Sequence, residues 1–85
     1  MKRPEISREE LIALITETLF TVAKITLSPQ QYEENLFGLG LDSLKAIQML
    51  NLLEDRLDVM IDDSHVQTFT SIKAITDFFD SLPRA

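Results

Sequence analysis

The sequence predicts an all-α fold, a small four-helix bundle of three main helices and one short helix with a long first loop. Apolar residues recur at spacings of three and four in three separate stretches, and no stretch alternates for long enough to read as a strand. The chain has 85 residues, roughly half of a common domain length of ~150, which leaves room for one core and not for two. Apolar residues make up 45% and charged residues 26%, the balance of an ordinary globular domain rather than a disordered segment.

The elements follow in order. Ser7-Arg8-Glu9-Glu10 has the form of a capping box, in which the Ser7 hydroxyl accepts from the amide three residues on and Glu10 reaches back. From there Leu11, Leu14, Ile15, Thr18, Leu19 and Val22 form a stripe of helical period, ending near Lys24, whose charge suits a helix C-terminus. Residues 25–42 break the period. Ser28-Pro29 can open a short turn of helix, Asn35, Gly38 and Gly40 punctuate the stretch, and Leu36, Phe37, Leu39 and Leu41 are expected to pin it to the core. The second helix is expected from Ser43 to Leu57, with Ala46, Leu50, Leu53 and Leu57 on one face and Met49 beside them. Ile47, Gln48, Asn51, Glu54 and Asp55 lie round the other side, and Ile47 stands out there as a large apolar residue on a wet face. Asp62-Asp63-Ser64 predicts the cap of a short third helix through about Gln67. Thr70 is the expected N-cap of a last helix carrying Ile72, Ile75, Phe78 and Phe79, with Pro83 after its end.

Charge and composition narrow the function classes. Fourteen acidic residues against eight basic give a net charge of −6, and the deficit begins in the middle of the chain. Such a surface repels a phosphate backbone, so no nucleic-acid partner is expected, and a partner with a basic patch is favoured through steering that weakens with salt. There is no cysteine. That excludes a disulfide scaffold and a thiolate metal site, and any thiol chemistry must be imported on a cofactor. The basic start is followed by no apolar targeting region, and no apolar run approaches the ~18 residues of a membrane span, so a cytoplasmic protein is expected. Asp62, Asp63 and His65 match neither an EF-hand loop nor a zinc pattern, and no metal site is expected. No catalytic residue is expected either. A Gly-x-Ser-x-Gly elbow on Ser43 would need glycine where Lys45 stands, Ser-x-x-Lys would need lysine where Ala46 stands, and His65 is the single histidine.

The informative stretch is Gly38-Leu39-Gly40-Leu41-Asp42-Ser43-Leu44-Lys45-Ala46-Ile47. It sets a serine at the start of a helix, where the first amides have no internal partner and carry partial positive charge, so a phosphate ester on Ser43 would sit in a favourable field. The residues alone leave a second reading open, in which Ser43, or Asp42 before it, is simply an N-cap. The run Gly40-Leu41-Asp42-Ser43-Leu44 resembles the phosphopantetheine attachment motif of acyl carrier proteins and peptidyl carrier domains. The resemblance covers nearly the whole chain: a first helix, a long loop, the Asp-Ser motif opening helix two, a short third helix and a Thr-Ser-Ile start to the last.

That resemblance implies a carrier whose 4′-phosphopantetheine arm is attached to Ser43 by a separate phosphopantetheinyl transferase using coenzyme A and Mg²⁺, with Asp42 in support. Acyl groups would ride as thioesters on the arm to ligases, ketosynthases or acyltransferases of fatty acid, polyketide or related biosynthesis. Leu44, Ile47, Gln48, Asn51, Glu54 and Asp55 would form the docking face. Carriers of fatty acid synthesis have a strongly acidic second helix, whereas this one has Lys45, Gln48, Asn51 and Arg56, and so looks more like carriers of polyketide or nonribosomal peptide assembly. A single free-standing, monomeric domain over residues 1–85 is expected. The rival to the carrier reading is a helical adaptor with no cofactor, in which Ser43 only caps.

Overall fold

The computed structural model describes residues 6–82. Three α-helices, α1 (Arg8–Ala23), α2 (Ser43–Leu57) and α3 (Ile72–Asp80), pack around one core, joined by stretches that carry short 3₁₀ helices at Pro29–Gln31, Leu36–Leu39 and Asp63–Thr68. No strand occurs among the described residues. The helices form where the apolar spacing placed them. Leu11, Ile15, Thr18 and Leu19 of α1, Ala46, Met49, Leu50 and Leu53 of α2, and Ile72, Ile75, Thr76 and Phe79 of α3 are buried. Leu36, Leu41, Ile61 and Phe69 complete the core from the connections. Two buried threonines are tolerated because each hydroxyl donates to a carbonyl four residues back, Thr18 to Leu14 at 2.7 Å and Thr76 to Ile72 at 2.8 Å.

The caps differ from the sequence expectation in instructive ways. Ser7 caps α1, accepting from the Glu10 amide at 3.1 Å, but Glu10 does not reach back to the Ser7 amide. Its carboxylate instead takes the Ser7 hydroxyl proton at 2.9 Å. Lys24 ends α1 in the left-handed region at φ 58°, and its ammonium lies 5.1 Å from the centre of the Phe20 ring rather than along the helix axis. Thr70 is not the cap of the last helix. Ser71 is, its hydroxyl accepting from the Ala74 amide at 3.0 Å, because the Thr70 carbonyl is drawn away to accept from the Leu36 amide at 2.7 Å. The short third helix is a 3₁₀ segment capped by Asp62, whose carboxylate takes the Ser64 amide at 2.9 Å. That amide bond is the chief cause that holds the Asp62 carboxyl below its usual range. Pro83 lies outside the described residues.

The long connection is only half as apolar in its packing as its sequence suggests. Leu36 and Leu41 are buried as expected, but Phe37 and Leu39 remain 38% and 42% exposed. In a 3₁₀ turn of about three residues Phe37 points to a different face from Leu36, which accounts for its exposure, whereas Leu39 closes the segment beside the reversal at Gly40. Two backbone bonds stitch the connection to the start of α3, Leu36 N–H to Thr70 C=O at 2.7 Å and Lys73 N–H to Tyr32 C=O at 2.9 Å.

Ion pairs join the helices at their exposed edges. Arg8 at the start of α1 donates to Asp77 at 3.2 Å and to Asp80 on α3, Lys73 donates to Asp77 at 2.8 Å, and Arg56 on α2 donates to Glu17 on α1 at 3.1 Å. Lys73, and after it Arg8, hold the Asp77 carboxyl below its usual range, and Asp77 in turn raises Lys73. A carboxylate depressed on folding adds stability above its unfolded pKa and loses it as pH falls through the folded one. These groups are exposed, so the effect is small and weakened by salt.

Two outcomes follow for stability. In urea titration Ser71→Ala costs about 1 kcal/mol, while Thr70→Ala changes stability by less than about 0.5 kcal/mol. Melting of Asp77→Asn beside the wild type shows a lower melting temperature at neutral pH and low salt. The difference closes as the pH drops below the aspartate range, and a difference that grew on acidification would contradict the assigned pairs.

Candidate functional site

The turn into α2 is built from three locally determined pieces. The 3₁₀ segment Leu36–Leu39 starts with Asn35, whose side chain accepts from the Phe37 amide at 3.0 Å. It ends at Gly40, whose φ of 118° is a conformation that L side chains rarely adopt. Both the Gly40 and Leu41 amides fold back onto the Leu36 carbonyl, and Leu41, 3% exposed, plugs the core immediately before the helix. The backbone then reaches Asp42 extended, at φ −122° and ψ 177°, ready to cap.

The structure resolves which residue caps. Asp42 does, through Oδ1 to the Lys45 amide at 2.8 Å, while its carbonyl accepts the Ala46 amide at 2.8 Å. Ser43 is therefore the first residue inside the helix. Its side chain is exposed, and its hydroxyl makes no hydrogen bond to the described residues. Relieved of capping, that hydroxyl stands beside the positive end of α2, where the first amides lack intrahelical acceptors. The donor set fits a phosphodiester: an open alcohol to esterify, a helix terminus to accommodate the charge, and no side chain competing for the oxygen. The cap uses one of the two carboxylate oxygens of Asp42, and the residue is exposed.

The six predicted docking residues fall into two groups. At about 100° per residue, Leu44, Gln48, Asn51 and Asp55 share one arc, the crest of α2 opposite its buried face, and all four are exposed. Leu44 is 66% exposed. Gln48, Asn51 and Asp55 also border a shallow open groove of about 570 Å³ whose other wall is Thr21 and Val22 of α1. Ile47 and Glu54 lie off the crest, on the flank toward the Asp63–Thr68 segment, and both are half-buried. Glu54 is engaged there. Its Oε2 accepts from the Ile61 amide at 2.9 Å and its carbonyl from the Val59 amide at 3.1 Å, so it ties down the turn after α2. Nothing local in the sequence marks that bond, because it joins residues seven apart across a turn.

Sequence reasoning also passed over Phe37 and Leu39 as surface residues beside the serine, having assigned both to the core. No local signal separated them from Leu36 and Leu41, since all four are large and apolar and a 3₁₀ period would set Leu39 with Leu36. Among the described residues no helix is long and apolar enough to cross a membrane, and no group of three or more histidine, aspartate or glutamate side chains is placed to hold a metal ion.

No curated protein and no solved structure matches the chain. A family profile described as a phosphopantetheine attachment site does match, over residues 10–79, which takes in most of α1, the stitched connection, the turn at Ser43, α2, the Asp63–Thr68 segment and most of α3. Members of that family carry 4′-phosphopantetheine covalently and act as carriers rather than catalysts, and the all-helical bundle is consistent with that family. The chain belongs to the phosphopantetheine-binding carrier family.

Proposed function

We propose that Ser43 is the residue that bears the 4′-phosphopantetheine arm and that the protein presents acyl intermediates on it, as thioesters, to enzymes of polyketide, fatty acid or related biosynthesis. The observation that carries this reading is the division of labour at the start of α2: Asp42 takes the cap, and the Ser43 hydroxyl stays exposed and unbonded. In the loading step the Ser43 oxygen forms a new bond to the phosphorus of coenzyme A that bears pantetheine. The pyrophosphate bond breaks, adenosine bisphosphate leaves, and the hydroxyl proton passes to a base of the transferase. Asp42 supports that step from beside the serine, its second carboxylate oxygen available to the Mg²⁺ or to the transferase. The arm's own thiol then supplies the chemistry that a cysteine-free chain lacks. It acts at high effective concentration once a partner docks, and a weak interface lets it leave again.

Docking is assigned to the crest of α2, Leu44, Gln48, Asn51 and Asp55, with Ile47 on its flank. Glu54 contributes mainly by holding the adjoining turn. One feature favours a second reading, an aminoacyl or peptidyl carrier of nonribosomal peptide assembly: the middle of the crest is Gln48 and Asn51, uncharged where a carrier of fatty acid synthesis is strongly acidic. Either way the protein is proposed to act as a monomer in the cytoplasm, served by a phosphopantetheinyl transferase and by acyl-loading and acyl-processing enzymes. What favours the carrier over the cofactor-free adaptor is the family match over residues 10–79.

Incubation with coenzyme A, Mg²⁺ and a promiscuous phosphopantetheinyl transferase is expected to add one pantetheinyl phosphate by intact mass, and Ser43→Ala to add none. Folded wild type left unmodified by several transferases would defeat the reading. Ile47 is half-buried but does not join the core cluster. Ile47→Glu is thus expected to keep its helical circular dichroism and lower the rate of transfer to a partner enzyme several-fold. A loss of more than about 2 kcal/mol in stability would place Ile47 in the core instead.

A further inference from the structure

Residues 46–53 of α2 carry no charge in a chain that is 26% charged. The two polar side chains among them, Gln48 and Asn51, stand on one wall of the groove between α2 and α1. Neither carboxamide has a hydrogen-bond partner among the described residues. Thr21 on the facing wall is already engaged, its hydroxyl donating to the Glu17 carbonyl at 2.9 Å. Val22 and Leu52, both half-buried, give the groove an apolar lining, and Asp55 is the one charge on it, at the end away from Ser43. Each open carboxamide both donates and accepts, so a groove of about 570 Å³ with this lining suits a neutral ligand that has amides of its own. It suits a phosphate or a basic peptide poorly.

We infer that this groove is the resting place of the 4′-phosphopantetheine arm, whose two amides pair there with Gln48 and Asn51 while no partner is docked. The inference rests on Ser43 bearing the arm. Spacing supports it. In ideal helix geometry the Cα atoms of Gln48 and Asn51 lie about 9 Å and about 12 Å from that of Ser43, the step round the helix included. Counted from the serine oxygen, the amide nitrogens of the arm follow about seven and about eleven bonds, which at ~1.2 Å per bond of extended chain is about 8 Å and about 13 Å. The methylenes between them then meet Val22 and Leu52. The thiol follows about fourteen bonds, or ~17 Å, which ends at the level of Asp55, so the groove holds the arm and not its cargo. Two exposed hydrogen bonds hold it loosely, as release requires. Gln48, Asn51 and Asp55 also belong to the crest assigned to docking. A partner that covers them takes the arm's place, so docking itself frees the arm to enter the partner's active site.

The test uses the whole chain, loaded to completion with coenzyme A, Mg²⁺ and a promiscuous transferase and checked by intact mass. Between apo and loaded wild type, heteronuclear NMR is expected to show shifts in the side-chain amide signals of Gln48 and Asn51 and in the backbone amides of Thr21, Val22 and Leu52. These come in addition to the changes round Ser43 that any ester there brings. The arm's thiol is expected to react with N-ethylmaleimide about threefold faster in the loaded double variant Gln48→Ala, Asn51→Ala than in loaded wild type at the same pH and salt. Both substitutions keep the charge and both residues are exposed, so the melting temperature stays within a few degrees of the wild type. Shifts confined to the surroundings of Ser43, or found instead on the flank of Ile47 and the Asp63–Thr68 segment, overturn the groove as the resting place while leaving Ser43 as the loading point. So do equal maleimide rates in the two loaded proteins. If folded wild type takes up no arm, the Ser43 reading falls and this inference with it.

Discussion

The geometry of the functional end depends on one backbone hydrogen bond, from the Leu36 amide to the Thr70 carbonyl at 2.7 Å. It joins the long connection to the approach to α3, and buried Leu36 and Leu41 on either side of the Leu36–Leu39 segment anchor that connection in the core. With both ends of the turn fixed, Gly40 reverses the chain and Asp42 arrives extended, so the first residue of α2 has one position and one orientation. Freeing the Leu36 amide would leave a buried donor without an acceptor, at a cost of ~1–3 kcal/mol. The same bond explains why Ser71, and not Thr70, starts α3.

On the proposed reading of Ser43, that rigidity serves a group that must itself be free. A covalent arm gains from an anchor that does not move, because the arm's reach is then defined by its own length. Capping by Asp42 and exposure of Ser43 are two sides of one arrangement: had Ser43 capped, its hydroxyl would have been shared with an amide and turned inward. Electrostatics divides along the same line. Ion pairs join α1 to α3 and the last turn of α2 to α1, one more lies within α3, and none among the described residues involves residues 35–48. Salt thus acts on the ion pairs at the helix edges, away from the turn at Ser43.

Much of this was legible in the sequence because helical period and capping chemistry are local. The bounds of α2 and its buried face follow from helical spacing, and the Ser7 cap from capping chemistry. What was not legible depended on distant partners. Thr70 looks as good a cap as Ser71 until its carbonyl is seen to be taken by Leu36. Glu54 looks like a free surface acid until the turn brings the Ile61 amide to it. Phe37 and Leu39 look like core residues because hydrophobicity says nothing of which way a 3₁₀ turn points them. At the site, the motif identified Ser43 and Asp42 together, and only the geometry assigned capping to one and availability to the other.

The two described methionines of the turn region have opposite fates. Met49 is fully buried in α2, whereas Met60, in the turn that Glu54 ties down, is 86% exposed. A thioether in contact with solvent is the one that takes up oxygen to give the sulfoxide, while one sealed in a packed interior is protected. Of these two, ageing in air therefore begins at Met60, adding the mass of one oxygen atom at a site that leaves the core intact.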